Sequence, residues 1–141
     1  MIIRKFEHSD TEKIIEIWYN VSLVAHSFIP KEIWESQKEE LRNKYLQMAE
    51  TWVAEENGNL IGFISLLGNY IGALFVVSKE QGKGVGTKLI ERARQEKGHL
   101  NVGVYSKNVD ARRFYEKNGF KYINEEVQPE TGEVVINMTF I

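Results

Sequence analysis

The stretch Gln81-Gly82-Lys83-Gly84-Val85-Gly86 places three glycines at alternate positions, between the apolar run IGALFVV and a segment of helical period, GTKLIERARQEKG. Glycine accepts positive φ and lets backbones approach closely, so the stretch reads as a tight turn. The same lack of side chains lets successive backbone N–H groups at a helix N-terminus converge on one anion, with the helix dipole behind them. On that reading it is a phosphate cradle, and Lys83 and Lys88 either add positive charge to it or are ordinary solvated side chains. Neither of the familiar phosphate-loop patterns is met. Thr87 stands where a P-loop starting at Gly82 needs its second glycine, and Thr87 and Leu89 stand where a dinucleotide fingerprint starting at Gly82 or Gly84 needs its third.

Bulk properties narrow what such a loop could serve. A chain of 141 residues, 43% hydrophobic and 27% charged, is long enough for one buried core and short for two. The net charge of −2 gives no basic field for gripping nucleic acid. With no cysteine there are no disulfides or thiolate nucleophiles, and His8, His26 and His99 lack metal-ligand spacing, so no metal is expected. No apolar run approaches the ~20 residues of a membrane span and MIIRKFEHSD lacks a signal core, so a cytoplasmic location is expected, with no membrane partner.

The elements that would position the loop emerge from periodicity. After a short strand at MIIRKF, Ser9 and Glu12 form a capping-box pair ahead of Ile14, Ile17, Trp18 and Val21 at helical spacing. Pro30 opens a second helix whose apolar stripe runs from Ile33 to Met48. TWVAEE, LIGFISLL and YIGALFVV, separated by Asn57-Gly58 and Gly68-Asn69, read as an antiparallel meander. A helix ending at Gly98 comes after the glycine loop. Next come a strand from Leu100, a helix capped by Asn108, and two strands around Pro129 and Gly132. The expected order is βααβββαβαββ, an α+β domain on one mixed, mainly antiparallel sheet flanked by helices.

ALFVVSKEQGKGVGTKLIERA and VYSKNVDARRFYEKNGF, in that order behind two helices and an Asn-Gly hairpin, resemble the GNAT superfamily of N-acetyltransferases, and the resemblance covers residues 1–141 as a single domain. It implies acetyl-CoA as co-substrate, with the backbone N–H groups of Gly82, Lys83, Gly84, Val85, Gly86 and Thr87 around the pyrophosphate and Gln81 starting the loop. It implies that Phe75, Val76 and Val77 pair with the pantetheine arm and acetyl carbonyl through backbone groups, and that Asn108 contacts the cofactor arm. It also implies that Tyr115 is the general acid, protonating the departing thiolate; a tyrosine with pKa ~10 keeps its proton at neutral pH. By spacing alone, Ala111, Phe114 and Tyr115 share a helix face and read as core.

The acceptor amine must lose a proton, and here the chain departs from the pattern. Many relatives carry a glutamate on the strand before Asn108, where this chain has Gly103; Ser78 also replaces a frequent proline. His26, in VAHSFIP, is the best remaining titratable candidate for the base, with Glu55, Glu56 or a water chain as alternatives, because its ordinary pKa of ~6.5 suits the task and it lies on the linker where the family's acceptor site forms; otherwise it is a surface or hydrogen-bonded loop histidine. The expected activity is direct acetyl transfer to a primary amine, whether a protein lysine, an N-terminal amine or a small amine. The alternative is a non-catalytic acyl-CoA-binding or regulatory domain that lost its base. VVINMTFI either joins a dimer sheet or packs in the core, leaving monomer and homodimer both open.

Overall fold

In the computed structural model, which describes residues 1–141, β1 (Ile2–Lys5) leads through a 3₁₀ turn into α1 (Thr11–Ala25). The expected Ser9–Glu12 cap does not start this helix. Buried Asp10 precedes it instead, accepting from the Glu7 amide at 2.8 Å and from Arg4 Nη1 and Nη2 at 2.9 and 3.0 Å. Chiefly through the Arg4 bonds, its carboxyl is held below the usual aspartate range, so a paired charge closes the β1–α1 corner.

Pro30, with φ −57°, precedes α2 (Lys31–Glu40). The stripe expected to continue to Met48 is interrupted by one π-helical turn, Leu41–Tyr45, before the short α3 (Leu46–Met48). A π turn adds a residue to the helical repeat and re-aims the side chains beyond it, a device frequent at functional sites. The meander forms as expected from β2 (Glu50–Glu56), β3 (Asn59–Leu67) and β4 (Tyr70–Val76), with Asn57 and Gly58 both at positive φ in the first turn. Then come α4 (Val85–Lys97), β5 (Leu100–Tyr105), α5 (Val109–Lys117), β6 (Lys121–Val127) and β7 (Val134–Phe140). The strands make one sheet in the order β1-β2-β3-β4-β5-β7-β6. VVINMTFI is therefore an internal strand, and the sheet edge on its side belongs to β6, which is exposed at every position.

The sheet separates two apolar layers. Leu89, Ile90 and Ala93 of α4 pack with Ile64, Val102 and Tyr115 on one face, whereas Ile14, Trp18 and Trp34 of α1 and α2 pack with Val53 and Phe63 on the other. Only β4 and β5 run parallel, and their pairing covers just Tyr70↔Asn101 and Ile71↔Val102. Beyond it the strands part. Ser65 pairs with Ala73 and Leu66 with Ile71, which leaves Gly72 as an extra residue, a bulge that bends β4 out of register. The next pair would be Gly72 with Gly103, so two glycines stand at the head of the split.

Candidate active site

The glycine loop lies between the far end of β4 and the N-terminus of α4. Gly84 directly precedes that helix with φ 89°, and Gly82 has φ 79°; added Cβ atoms there would meet nothing within 4 Å. Both glycines thus serve a left-handed backbone beside open space. Val85 is buried as the first helical residue, and Thr87 lies in the first turn. Gly86 has another reason to be glycine, since a Cβ there would stand 3.0 Å from the Phe114 ring of α5. Lys83 lies 3.7 Å from Glu80 and Lys88 4.0 Å from Glu91, all loose surface pairs.

Gln81 Nε2 donates to Val76 O at 2.9 Å and Val77 N donates to Ile61 O at 2.9 Å. Of the backbone groups expected to pair with a cofactor arm, those two and Val77 O, which accepts from Glu80 N at 2.9 Å, already have protein partners. The edge of β4 that β5 has left is what remains. The Phe75 ring stacks on Phe63 at 5.7 Å and looks toward His26 at 6.5 Å.

Tyr115 is buried, with its ring 5.2 Å from both Phe114 and Phe120. It belongs to the apolar layer under α4 and α5, so the core reading of its ring holds. Burial, and then neighbouring Tyr70, push its phenol well above the ordinary tyrosine value. A phenol so placed keeps its proton through neutral and mildly alkaline pH.

His26 ends α1 and lies on the opposite face of the sheet, with its ring 4.9 Å from Tyr105, 5.5 Å from Trp34 and 5.9 Å from Phe28. Desolvation lowers its pKa to about 4, so it is neutral at physiological pH. Asn108 Oδ1 accepts from Ala111 N at 3.2 Å, which turns its amide nitrogen toward His26 Nε2 at 3.1 Å. Nε2 is thereby the acceptor and Nδ1 carries the hydrogen, buried and without a partner. Asn108 is both the expected cap of α5 and a tie to His26.

Three side chains of this face complete the site. Tyr105 Oη donates to Gln128 Oε1 at 2.8 Å. A Cβ on Gly103 would lie 2.8 Å from Tyr70 Oη and 3.0 Å from Val135, so the place of the absent strand carboxylate is occupied by a phenol. At Gly72 a Cβ would fall on the Tyr45 hydroxyl, which is buried and unpartnered. By sequence Tyr45 reads only as part of the apolar stripe of the second helix, and Tyr70 is not singled out. The available signal was a glycine inside each of two strands, which marks close approach by another group.

Comparison with known proteins now decides the family. The model of the acetyltransferase (GNAT) domain matches residues 16–141. The chain belongs to the GNAT acetyltransferases. It is 35% identical to the peptidyl-lysine N-acetyltransferase YiaC of Escherichia coli over 92% of this chain and 90% of that one. It is 30% identical to the E. coli peptidyl-lysine N-acetyltransferase YjaB over 99% and 96%. The solution structure of apo YjaB from E. coli superposes with TM-score 0.86, covering 100% of this GNAT chain and 99% of that one at 29% identity. The fold is also that of yncA from Salmonella typhimurium, solved with acetyl-CoA as its cofactor, at TM-score 0.70 and 23% identity over 99% and 92%. This GNAT protein is an N-acetyltransferase, and the non-catalytic alternative falls.

Proposed function

We propose that the chain transfers the acetyl group of acetyl-CoA to the ε-amine of lysine in a protein. The observation that carries the reading is the β4–β5 split, followed along the chain by an exposed glycine loop at the head of α4. Acetyl-CoA supplies an activated thioester. Gly82 to Thr87 hold its pyrophosphate through backbone N–H groups, and the vacated edge of β4 takes its arm in the manner of a missing strand. Of residues Phe75–Val77, Val76 contributes that edge, with Gln81 bracing its end through Val76 O, whereas both backbone groups of Val77 are held by Ile61 O and Glu80 N. The acceptor class rests on the likeness to two peptidyl-lysine N-acetyltransferases.

The two faces of the sheet divide the work. The amine nitrogen arrives on the α1 and α2 face, between the wall of Phe28, Phe75 and Tyr105 and the head of the split. Its lone pair forms the new C–N bond while the C–S bond breaks, and the electron pair leaves with sulfur. Tyr115 gives that sulfur a proton from the other face and is reprotonated from solvent; the surplus proton on nitrogen passes to water. His26, with Nε2 already accepting from Asn108 and its pKa near 4, orients Asn108 and walls the pocket, a role its geometry favours over that of proton acceptor.

Free-CoA release tests this directly. Lysine peptides should be acetylated faster than peptides whose only amine is N-terminal or than small alkylamines. Equal or slower turnover of lysine peptides would overturn the acceptor assignment.

A further inference from the structure

At the head of the split, Gly72 and Gly103 face each other where β4–β5 pairing ends, and each is covered by a phenol from the α1 and α2 side. Tyr45 reaches Gly72 from the π turn. Tyr70 reaches Gly103 from its own strand, two residues before the bulge. Neither glycine could carry a side chain without displacing its hydroxyl. Tyr45 Oη is buried with no protein partner, although a buried donor normally has one.

We propose that the Tyr45 and Tyr70 hydroxyls form the acceptor-amine subsite, in place of the strand carboxylate that Gly103 rules out. This rests on the acetyltransferase reading above. Phenol oxygens carry lone pairs but no charge. They accept hydrogen bonds from the N–H groups of a neutral amine and leave its nitrogen lone pair free to face the acetyl carbon. A carboxylate in contact would attract the ammonium ion, whereas these two neutral oxygens, Tyr45 Oη buried and Tyr70 partly exposed with Glu126 acting on it through charge alone, select the deprotonated form. The amine therefore sheds its first proton to water before it enters, and no enzyme base is required for that proton. The acidic limb of the rate profile then belongs to the substrate.

The test uses the full chain, acetyl-CoA, and two acceptors of different basicity: a lysine peptide and the same peptide bearing the less basic aminoethylcysteine in place of lysine. For the wild type, the acidic limb of kcat/KM is expected to shift toward lower pH with the less basic acceptor. Tyr45→Phe and Tyr70→Phe are each expected to raise the KM for amine about tenfold, the effect of one hydrogen bond, with acetyl-CoA affinity unchanged by calorimetry. Gly103→Ala, which moves the Tyr70 hydroxyl, should match Tyr70→Phe and add little in that background. Since Tyr45 Oη has no protein partner, Tyr45→Phe should keep or raise thermal stability, which separates ligand binding from a structural role.

An amine KM within twofold of wild type in both phenylalanine variants overturns the proposal. So does an acidic limb fixed in pH across the two acceptors, or a loss confined to acetyl-CoA affinity, which would assign the hydroxyls to the cofactor arm. A wild type that binds acetyl-CoA but acetylates neither acceptor overturns the parent reading and this one with it.

Discussion

By residue type Tyr115 and His26 read as the proton donor and acceptor of one reaction, and burial acts on both in ways that spacing does not disclose. It strengthens the hold of Tyr115 on its proton and makes His26 a weak base. Tyr115→Phe is expected to lower kcat by ~10²–10⁴-fold, the usual contribution of a positioned proton donor, while acetyl-CoA affinity in calorimetry changes little. With its phenol raised well above ~10, the wild type should show no loss of kcat from Tyr115 ionisation between pH 7 and 9. For His26 the folded pKa is below the unfolded one, so the unfolded chain binds the extra proton between pH ~6.5 and about 4. Stability is accordingly full above that window and falls as pH drops through it, by at most about 3 kcal/mol. Urea titrations of His26→Asn should show a shallower fall over the same window; an unchanged slope would mean that the ring is more solvated than its aromatic surroundings indicate.

Among the elements, the loop and the helix it feeds show how two glycines of one motif come to differ. Gly84→Val forces a β-branched residue into φ 89°, and its side chain enters the open space of the cradle. Acetyl-CoA affinity should fall by tenfold or more with the fold retained. Gly86→Val meets Phe114 instead, so thermal stability should fall first, by ~1–3 kcal/mol of overpacking between α4 and α5. Denaturation and cofactor titration of the pair separate the two effects. Helix and strand order, the meander, the Asn108 cap and the glycine loop were legible because they rest on local periodicity and turn chemistry. The π turn was not, since Ile33 to Met48 reads as one stripe and the extra residue appears only where Tyr45 must reach Gly72. The Asp10 corner was hidden for a related reason. Ser9 and Glu12 satisfy the local capping pattern, but Arg4, on the neighbouring strand, overrides it. Tyr70 over Gly103 depends on which strands are neighbours, information that no local window holds.

In the whole molecule, the seven strands are continuous only through Tyr70↔Asn101 and Ile71↔Val102. β1 to β4 on one side and β5, β7 and β6 on the other are otherwise held by the helices that cross between them. A saturating ligand that binds only the folded state adds RT ln(1 + [L]/Kd), about 2.7 kcal/mol at a hundredfold excess over Kd. Acetyl-CoA should therefore raise the melting temperature by several degrees, and the Gly84→Val variant should lose that rise. The split also has a kinetic signature. Backbone amides of Ala73–Val76 and Val104–Tyr105 that point into the gap have no ladder partner there, so in the free protein they should exchange with deuterium far faster than their neighbours bonded to β3 and β7. Once the cofactor arm lies between the strands, amides on the two sides should become protected together, although nearly thirty residues separate them in sequence. The reactant would then be a temporary rung of the sheet, and each product release would reopen the seam.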